Sequence, residues 1–533
     1  MNPTTHVAQT EQLVTTITER MTTLARTLSS WMHEQPHTLA EIEQHVLRLL
    51  KELGASLVAS LATLAAPADP PASIACACGH LASYQRERKA QVTTLLGPIH
   101  ICRSYYLCAA CGHGQHPLDT QLQFCAGSRS PALDELLALL GATQESFVQA
   151  AHVLERLTLV HASANSVRDA TEDLGTLLLE HQAQPHSEQP STPLVRAHTI
   201  AKARRLYIAM DGVFAHVHER GWSEIKVGCC YQTRSCTNRK RPEQHQIRAH
   251  SASYVTALEQ AESFGWRLWQ EAVRRGVLSA EEVVVVGDGA HWIWNIAERH
   301  FPRAIQIVDW YHASQYLWNA ARAIWGEAEP ERASWARGQL DKLWESKVGE
   351  VVRELEQWHE RGEAVEAALS YYREHQSRMD YASYRARGMQ IGSGSAESAC
   401  KQLISARLKG AGMIWDAAGA EGVAAVRAWL KSERWEEAIA LRGVPQRGYQ
   451  RKQAVRALEE RRTERQAVQE QISGKGERRA KAPVQAMPED VLRRVQGELA
   501  EQRGKNGWGT AWSVQRQREM AAQRAQSKPG STA

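Results

Sequence analysis

Apolar residues recur at helical intervals through the first 66 positions and predict two amphipathic helices. Leu47, Leu49, Leu50 and Leu53 mark one face of the second. The Pro/Ala run AAPADPPAS (65–73) breaks that pattern and reads as a linker. From 74 to 125, short strand-like runs alternate with turn residues and cysteines, which predicts a small strand-rich module. Helical spacing returns over 130–185. There FVQAAHVLERL and SANSVRDATEDLGTLLLEH, parted by a short break, predict a helix, a turn and a helix, with Ser163 or Asn165 as the second cap. Such a pair can read DNA or simply pack against other helices. HSEQPSTPLV (186–195) is a second linker.

The pattern then changes to strands. Leu206–His218 and Glu224–Gln232 predict two strands of a hairpin turning through Arg220-Gly221, with a third near Gln246–Ala252. Tyr254–Arg275 has helical spacing through Leu258, Ala261, Phe264, Leu268 and Ala272. A strand at Val283–Val286, a helix at His291–His300 and a strand at Ala304–Val308 come next. From Ala313 to about Met379 the chain reads as helical and Trp-studded, and a last helix carries SAESACKQLISARLKG. A three-strand meander, helix, strand, helix, strand and then helices imply an α/β layer with a mixed sheet. That is also the order expected of a ribonuclease-H-like core. No internal repeat is visible.

Length and charge refine this picture. A chain of 533 residues is too long for one core, and 43% hydrophobic with 23% charged residues is ordinary for a soluble globular protein. No apolar run is long enough to span a bilayer, and the N-terminus has no secretory pattern, so a cytoplasmic location is expected. In that compartment the ten cysteines read as free thiols or metal ligands. The net charge of +5 is unevenly spread. Residues 441–533 carry 20 Lys/Arg against 10 Asp/Glu, while the first 440 carry 44 against 49. A basic tail of this kind suits a polyanion such as nucleic acid, or is a solvated helical or disordered tail.

Three strand-associated aspartates stand out: Asp211 in AMDGVF, Asp288 in VGDGAH and Asp309 in IVDWYH. Glu397 appears later, in IGSGSAES, where Gly392 and Gly394 loosen the entry to a helix. Each alone is unremarkable, since Gly-Asp-Gly is also turn chemistry. Converging carboxylates repel, however, unless a cation neutralises them, and Mg²⁺ takes oxygen ligands while keeping positions open for a phosphate. Two such ions about 3.5–4 Å apart can serve phosphoryl transfer.

The set YIAMDG, VVVVGDGA, IVDWYHA and SGSAES…RLKGAGMIW resembles bacterial insertion-sequence DDE transposases of the ISKra group, and more loosely the Mutator-type superfamily. The resemblance reaches upstream to RSYYLCAACGHGQHPLD and covers roughly residues 74–440. It implies that Asp211, Asp288 and Glu397 are a catalytic triad holding Mg²⁺ or Mn²⁺, with the glycines beside Asp288 leaving room for DNA. Substrates would be double-stranded DNA, as transposon terminal inverted repeats and target DNA, with a homo-oligomer in the DNA complex and a nucleoid-associated location. Asp309 and His312 resemble a Cys/Asp-x-x-His element and would be accessory, whether positioning the site, contacting DNA or capping a helix. Lys401, one turn after Glu397, would contact a phosphate or pair with that glutamate. Two other readings remain open: a metal-dependent nuclease of the same fold without strand transfer, and a catalytically inactive DNA-binding derivative.

The expected organisation is therefore multidomain α/β. It comprises N-terminal helices (1–66), a zinc-ribbon-like module (74–125) and a helix-turn-helix-like DNA-binding module (130–185). A ribonuclease-H-like core (200–312 and 391–440) comes after them, interrupted by an all-helical insertion (313–390) that accounts for the 109-residue separation of Asp288 and Glu397. The basic tail closes the chain.

Cys108-Ala-Ala-Cys111-Gly-His has the form of a zinc knuckle, and Cys76-Ala-Cys78-Gly supplies a second pair about thirty residues earlier. The first pair has one intervening residue where the family pattern usually has two, with Ala75 at the expected cysteine position. A Zn²⁺ site using Cys76, Cys78, Cys108 and Cys111, one recruiting His80 or His113, or a lost site are the alternatives. Cys229, Cys230 and Cys236 read as packing residues.

Overall fold

The computed structural model describes residues 3–442, apart from 68, 126, 184–203, 219, 239–240, 259 and 327–329. The second linker and the basic tail beyond 442 lie outside the described residues. The chain is a mixed α/β protein with two sheets, and among the described residues no helix is long and apolar enough to cross a membrane.

Two helices come first, α1 (Pro3–Glu34) and α2 (Leu39–Leu64). Thr38 and Glu41 start α2 with a reciprocal capping box. The small module is an antiparallel sheet of β1 (Ser73–Ala75), β2 (Leu81–Thr94), β3 (Gly97–Cys108) and β4 (Gly114–Gln115), followed by α3 (Pro117–Gln121). Ala55, Val58, Ala59 and Ala62 of α2 pack on Ala90, Val92, Ile99 and Ile101 of this sheet. Burying those faces together makes α2 and the sheet one hydrophobic unit.

The next helices are α4 (Pro131–Thr143), α5 (Phe147–Thr158) and α6 (Ala164–Ala183). Ser163 accepts from the Ser166 N–H (3.1 Å), so Ser163 rather than Asn165 caps α6.

The second sheet contains β5 (Arg205–Val217), β6 (Gly221–Asn238), β7 (Arg241–Ala257), β8 (Glu282–Gly287) and β9 (Ile305–Val308), in the order β7-β6-β5-β8-β9. The first three form an antiparallel meander, and β8 and β9 run parallel to β5. Helices α7 (Ala261–Arg274) and α8 (His291–His300) are the crossovers. Helical spacing predicts a helix from Tyr254, but β7 continues through that stretch, pairing Val255 with Gly228 and Thr256 with Val227. Aromatic and β-branched residues outweigh helical spacing there because an open strand edge is available.

A helical segment comes after β9: α9 (Trp310–Trp325), α10 (Pro330–Trp344), α11 (Val348–Glu356), α12 (Glu363–His375) and α13 (Tyr381–Ala386). Its residues Ala313, Leu317, Val365, Ala368 and Tyr372 share one core cluster with Ile208, Val285 and Ile307 of the sheet. Trp325 meets Trp335 and Trp358 at 5.3 and 5.1 Å, so the tryptophans serve helix packing here.

The expected last helix is broken into α14 (Gly394–Ala399), a π-helical turn (Cys400–Ser405) and α15 (Ala406–Leu408). Then come α16 (Ala417–Lys431) and α17 (Trp435–Ala440), which carry helical order up to the start of the basic tail. Both faces of the second sheet are covered. Val227 packs in a cluster with Val423 and Ala424 of α16, whereas a side chain at Gly228 would meet Leu268 and Phe264 of α7.

The 130–185 segment does not stand apart from the rest. Leu174 and Leu178 of α6 and Ala138 and Ala142 of α4 share a cluster with Val426 and Trp429 of α16 and Ala438 of α17. Among the described side chains of α6, Asn165 and Arg168 are the exposed ones.

Candidate functional site

Parallel pairing places three aspartates at one level of the sheet. Ala209 of β5 opposes Val286 of β8, so two residues further along Asp211 comes level with Asp288. Gly287 of β8 opposes Val308 of β9, and the next residues are Asp288 and Asp309. Asp288 and Asp309 directly follow their strands, whereas Asp211 lies inside β5, just past its last rung with β8.

Each carboxylate has its own backbone anchor. Asp211 accepts from the Gly212 N–H (2.7 Å) and Asp288 from the Ala290 N–H (2.9 Å). Burial pushes the Asp211 pKa up to about 6, and the charge of Asp288 adds to the rise against the Gly212 hydrogen bond. The Cys400 thiol also bonds to Asp211, and burial beside that carboxylate drives the thiol pKa far up.

Asp309 is 2% exposed and works as a strut. One of its oxygens accepts from the His312 N–H (2.8 Å) and caps α9, and the other accepts from the Ser393 N–H at the start of α14. Burial opposes ionisation of Asp309, but the bonds from His312 and Ser393 outweigh it and hold the pKa below the ordinary value. The His312 ring lies 3.7 Å from Asp309. Asp309, with the further charges of Asp288 and Asp211, raises the His312 pKa against the effect of burial.

Glu397 is placed differently. It lies on α14, one turn before Cys400, and its half-exposed carboxylate pairs with Lys401 at 2.5 Å. Asp211, Asp288 and Glu397 therefore share a neighbourhood without closing into a trio. Among the described residues, the one group of three or more His, Cys, Asp or Glu side chains whose ligand atoms all lie within 4.8 Å is elsewhere.

The glycines around Asp288 serve packing. Gly289 has φ +114°, and a Cβ there would lie 2.5 Å from the Tyr371 ring, while one at Gly287 would meet Ile293. The Tyr371 hydroxyl donates to the Asp288 carbonyl (2.7 Å). The absent side chain at Gly289 thus makes room for Tyr371 of α12. Sequence reasoning missed Tyr371, Ser393 and Cys400. Only Cys400, three residues after Glu397, carries a spacing that would have revealed it.

The group that closes is Cys76, Cys78, Cys108 and Cys111. Cys76 Sγ lies 3.6 Å from Cys111 Sγ, and Cys78 Sγ lies 3.6 Å from Cys108 Sγ. Tetrahedral zinc with bonds of about 2.3 Å would space its sulfurs roughly 3.8 Å apart, so the four could hold a metal such as zinc. Two matching turns build the site. Gly79 N–H donates to the Cys76 carbonyl and Gly112 N–H to the Cys108 carbonyl, and both glycines take positive φ. The one-residue spacing of Cys76 and Cys78 is therefore compatible with a complete four-cysteine group, and His80 lies only at its edge, 3.6 Å from Cys78 Sγ. Backbone N–H groups of Cys111 and Ala110 pull the Cys108 thiol down to about 6, while against the His113 backbone bond the sulfurs of Cys78 and Cys108 push Cys111 up. Cys229 and Cys230 are buried in the core, as expected of packing residues, whereas Cys236 is only half-buried.

A family model described as Uncharacterised protein family (UPF0236) matches residues 34–438. No curated protein matches the chain.

Proposed function

The chain belongs to this uncharacterised family, UPF0236, and from that premise we propose that it is a DDE-type DNA transposase. The observation that carries the reading is the level placement of Asp211 and Asp288 on adjacent parallel strands, with Glu397 one turn from the Cys400 that touches Asp211. The meander followed by two parallel strands fits a ribonuclease-H-like core.

The donors fit a hard divalent cation, being carboxylates of which one is buried beside another's charge. Mg²⁺ or Mn²⁺ held by Asp211, Asp288 and Glu397 would supply positive charge for cleavage at transposon ends and for strand transfer into target DNA. Glu397 would exchange Lys401 for that role, leaving Lys401 to meet a DNA phosphate. Asp309 holds α9 and α14 in place, and His312 offers the site a second cation.

The cysteine group supports a zinc-ribbon-like module. Arg86, Arg88 and Lys89 are exposed on β2 beside it, with Arg88 stacked 3.8 Å over Tyr105, a surface suited to double-stranded DNA. Binding of two terminal inverted repeats would be served by a homo-oligomer.

Full-length protein incubated with Mg²⁺ and the DNA flanking its coding sequence tests the reading. Nicks at terminal repeats and joined strand-transfer products are expected. Cleavage without joining would make the protein a nuclease of the same fold, and binding without metal-dependent nicking would make it an inactive derivative.

A further inference from the structure

Arg407 and Arg427 are 2% and 8% exposed, and among the described residues neither pairs with a carboxylate. Burying a guanidinium is costly unless its donors are met. Backbone carbonyls meet those of Arg427, whereas Arg407 is met at Nε alone and otherwise lies against the Phe147 and Trp415 rings. Arg407 Nε donates to the Gly141 carbonyl (3.0 Å), and Arg427 donates to the carbonyls of Ala142, Gln402 and Leu403, the last at 2.7 Å. Gly141 and Ala142 belong to the last turn of α4, where carbonyls lack helical partners and carry partial negative charge. Gln402 and Leu403 belong to the π-helical turn Cys400–Ser405.

A π turn holds one residue more than an α turn, and such turns recur at functional sites. The extra residue rotates the segment before the turn by about 100° relative to the segment after it. After the turn Leu408 packs in a core cluster with α16, and Ala399 before it and Cys400, Leu403 and Ile404 within it belong to the same cluster. The earlier segment carries Glu397 and leads into Cys400. The register of this turn therefore sets which way both of them face.

We propose that Arg427 is a positioning residue that holds the π register. By binding the Gln402 and Leu403 carbonyls it keeps Cys400 against Asp211 and sets the direction of Glu397, and by binding Ala142 it ties that register to α4. Its catalytic consequence rests on the reading of Asp211 and Glu397 as metal ligands, whereas its hold on Cys400 does not.

Full-length Arg427→Met and Arg427→Lys test it. Mass spectrometry of thiol-labelled, metal-free protein reports the accessibility of Cys400, and nicking kinetics in Mg²⁺ report kcat separately from DNA affinity. In Arg427→Met, Cys400 should label on the order of tenfold faster through local opening, and kcat should fall about 100-fold with DNA affinity unchanged. Arg427→Lys, which keeps the charge but not the fork of donors, should fall between. If Arg427→Met does not fold, Arg427→Lys gives the same two quantities. Cys400 labelling and kcat both at wild-type values in a folded variant would overturn the proposal, even with a lower melting temperature. Should the wild type not nick DNA, the catalytic reading fails, and Cys400 labelling alone still decides the role of Arg427.

Discussion

Asp211 and Asp288 stand level on adjacent parallel strands, two residues beyond the rung that pairs Ala209 with Val286. Burial and the neighbouring Asp288 charge raise Asp211 to about 6. Without a cation, ionising Asp211 works against folding.

That relationship has a sign that can be measured. The folded pKa of Asp211 lies above its ordinary value of 3.8, so its favourable contribution is full below that value and lost as pH rises through about 6. Asp211→Asn removes the titration. In chelator the variant should gain on the wild type between pH 4 and 6, by about 3 kcal/mol in all once pH 7 is reached. Urea melts across that range decide, and a difference that does not vary with pH contradicts the assignment.

Activity should depend on the same carboxylates. Asp211→Asn, Asp288→Asn and Glu397→Gln should each abolish Mg²⁺-dependent nicking while DNA binding persists, and their combined loss should not exceed a single one. Near wild-type nicking by any one of them removes that residue from the triad. Glu397 is the most exposed to this outcome, because its carboxylate pairs with Lys401.

Much of this arrangement is legible in the sequence, for definite reasons. The valines of β8 and the aspartate after them signal a buried strand and its end, and strand order comes from the alternation of elements. Asp309 is recognisable as special, but its second partner, Ser393, lies 84 residues away, and no local pattern encodes that contact. Tyr254 to Ala257 misleads because helical spacing and β-branched composition coincide there, and only a neighbouring strand decides between them. The π turn is hidden for the same reason: it depends on Arg427, more than twenty residues downstream.

Zinc is expected at about one ion per chain in elemental analysis of purified protein, held by Cys76, Cys78, Cys108 and Cys111. Cys108→Ser should lower metal content and loosen the 74–125 module, since metal affinity there is also folding free energy. A metal-free protein whose 74–125 segment stays protected from protease in chelator would contradict this.

Gly289 shows how closely α12 supports the site. At φ +114°, with Tyr371 2.5 Å from where a Cβ would lie, Gly289→Ala should cost about 2–3 kcal/mol by strain and displacement of the ring. Tyr371→Phe removes only the hydrogen bond to the Asp288 carbonyl and should cost about 1 kcal/mol. Denaturant melts of both variants check the order, and a Gly289→Ala loss below that of Tyr371→Phe would show that the turn relaxes.

The surplus of Lys/Arg in the basic tail should add sequence-independent affinity by releasing counterions from DNA phosphates. A truncation that tests this must respect the fold: Arg442 donates to Asp134 (3.2 Å) and to the Ala170 carbonyl, so it belongs to the helical body. Removing residues 443–533 should weaken binding to terminal-repeat and random duplexes alike and flatten the salt dependence, while sparing the preference between them. Salt titrations of full-length and shortened protein on both duplexes measure this. An unchanged salt slope would rule out phosphate contacts by the tail, and a loss confined to terminal-repeat DNA would place base recognition there instead of in the cysteine-bearing module.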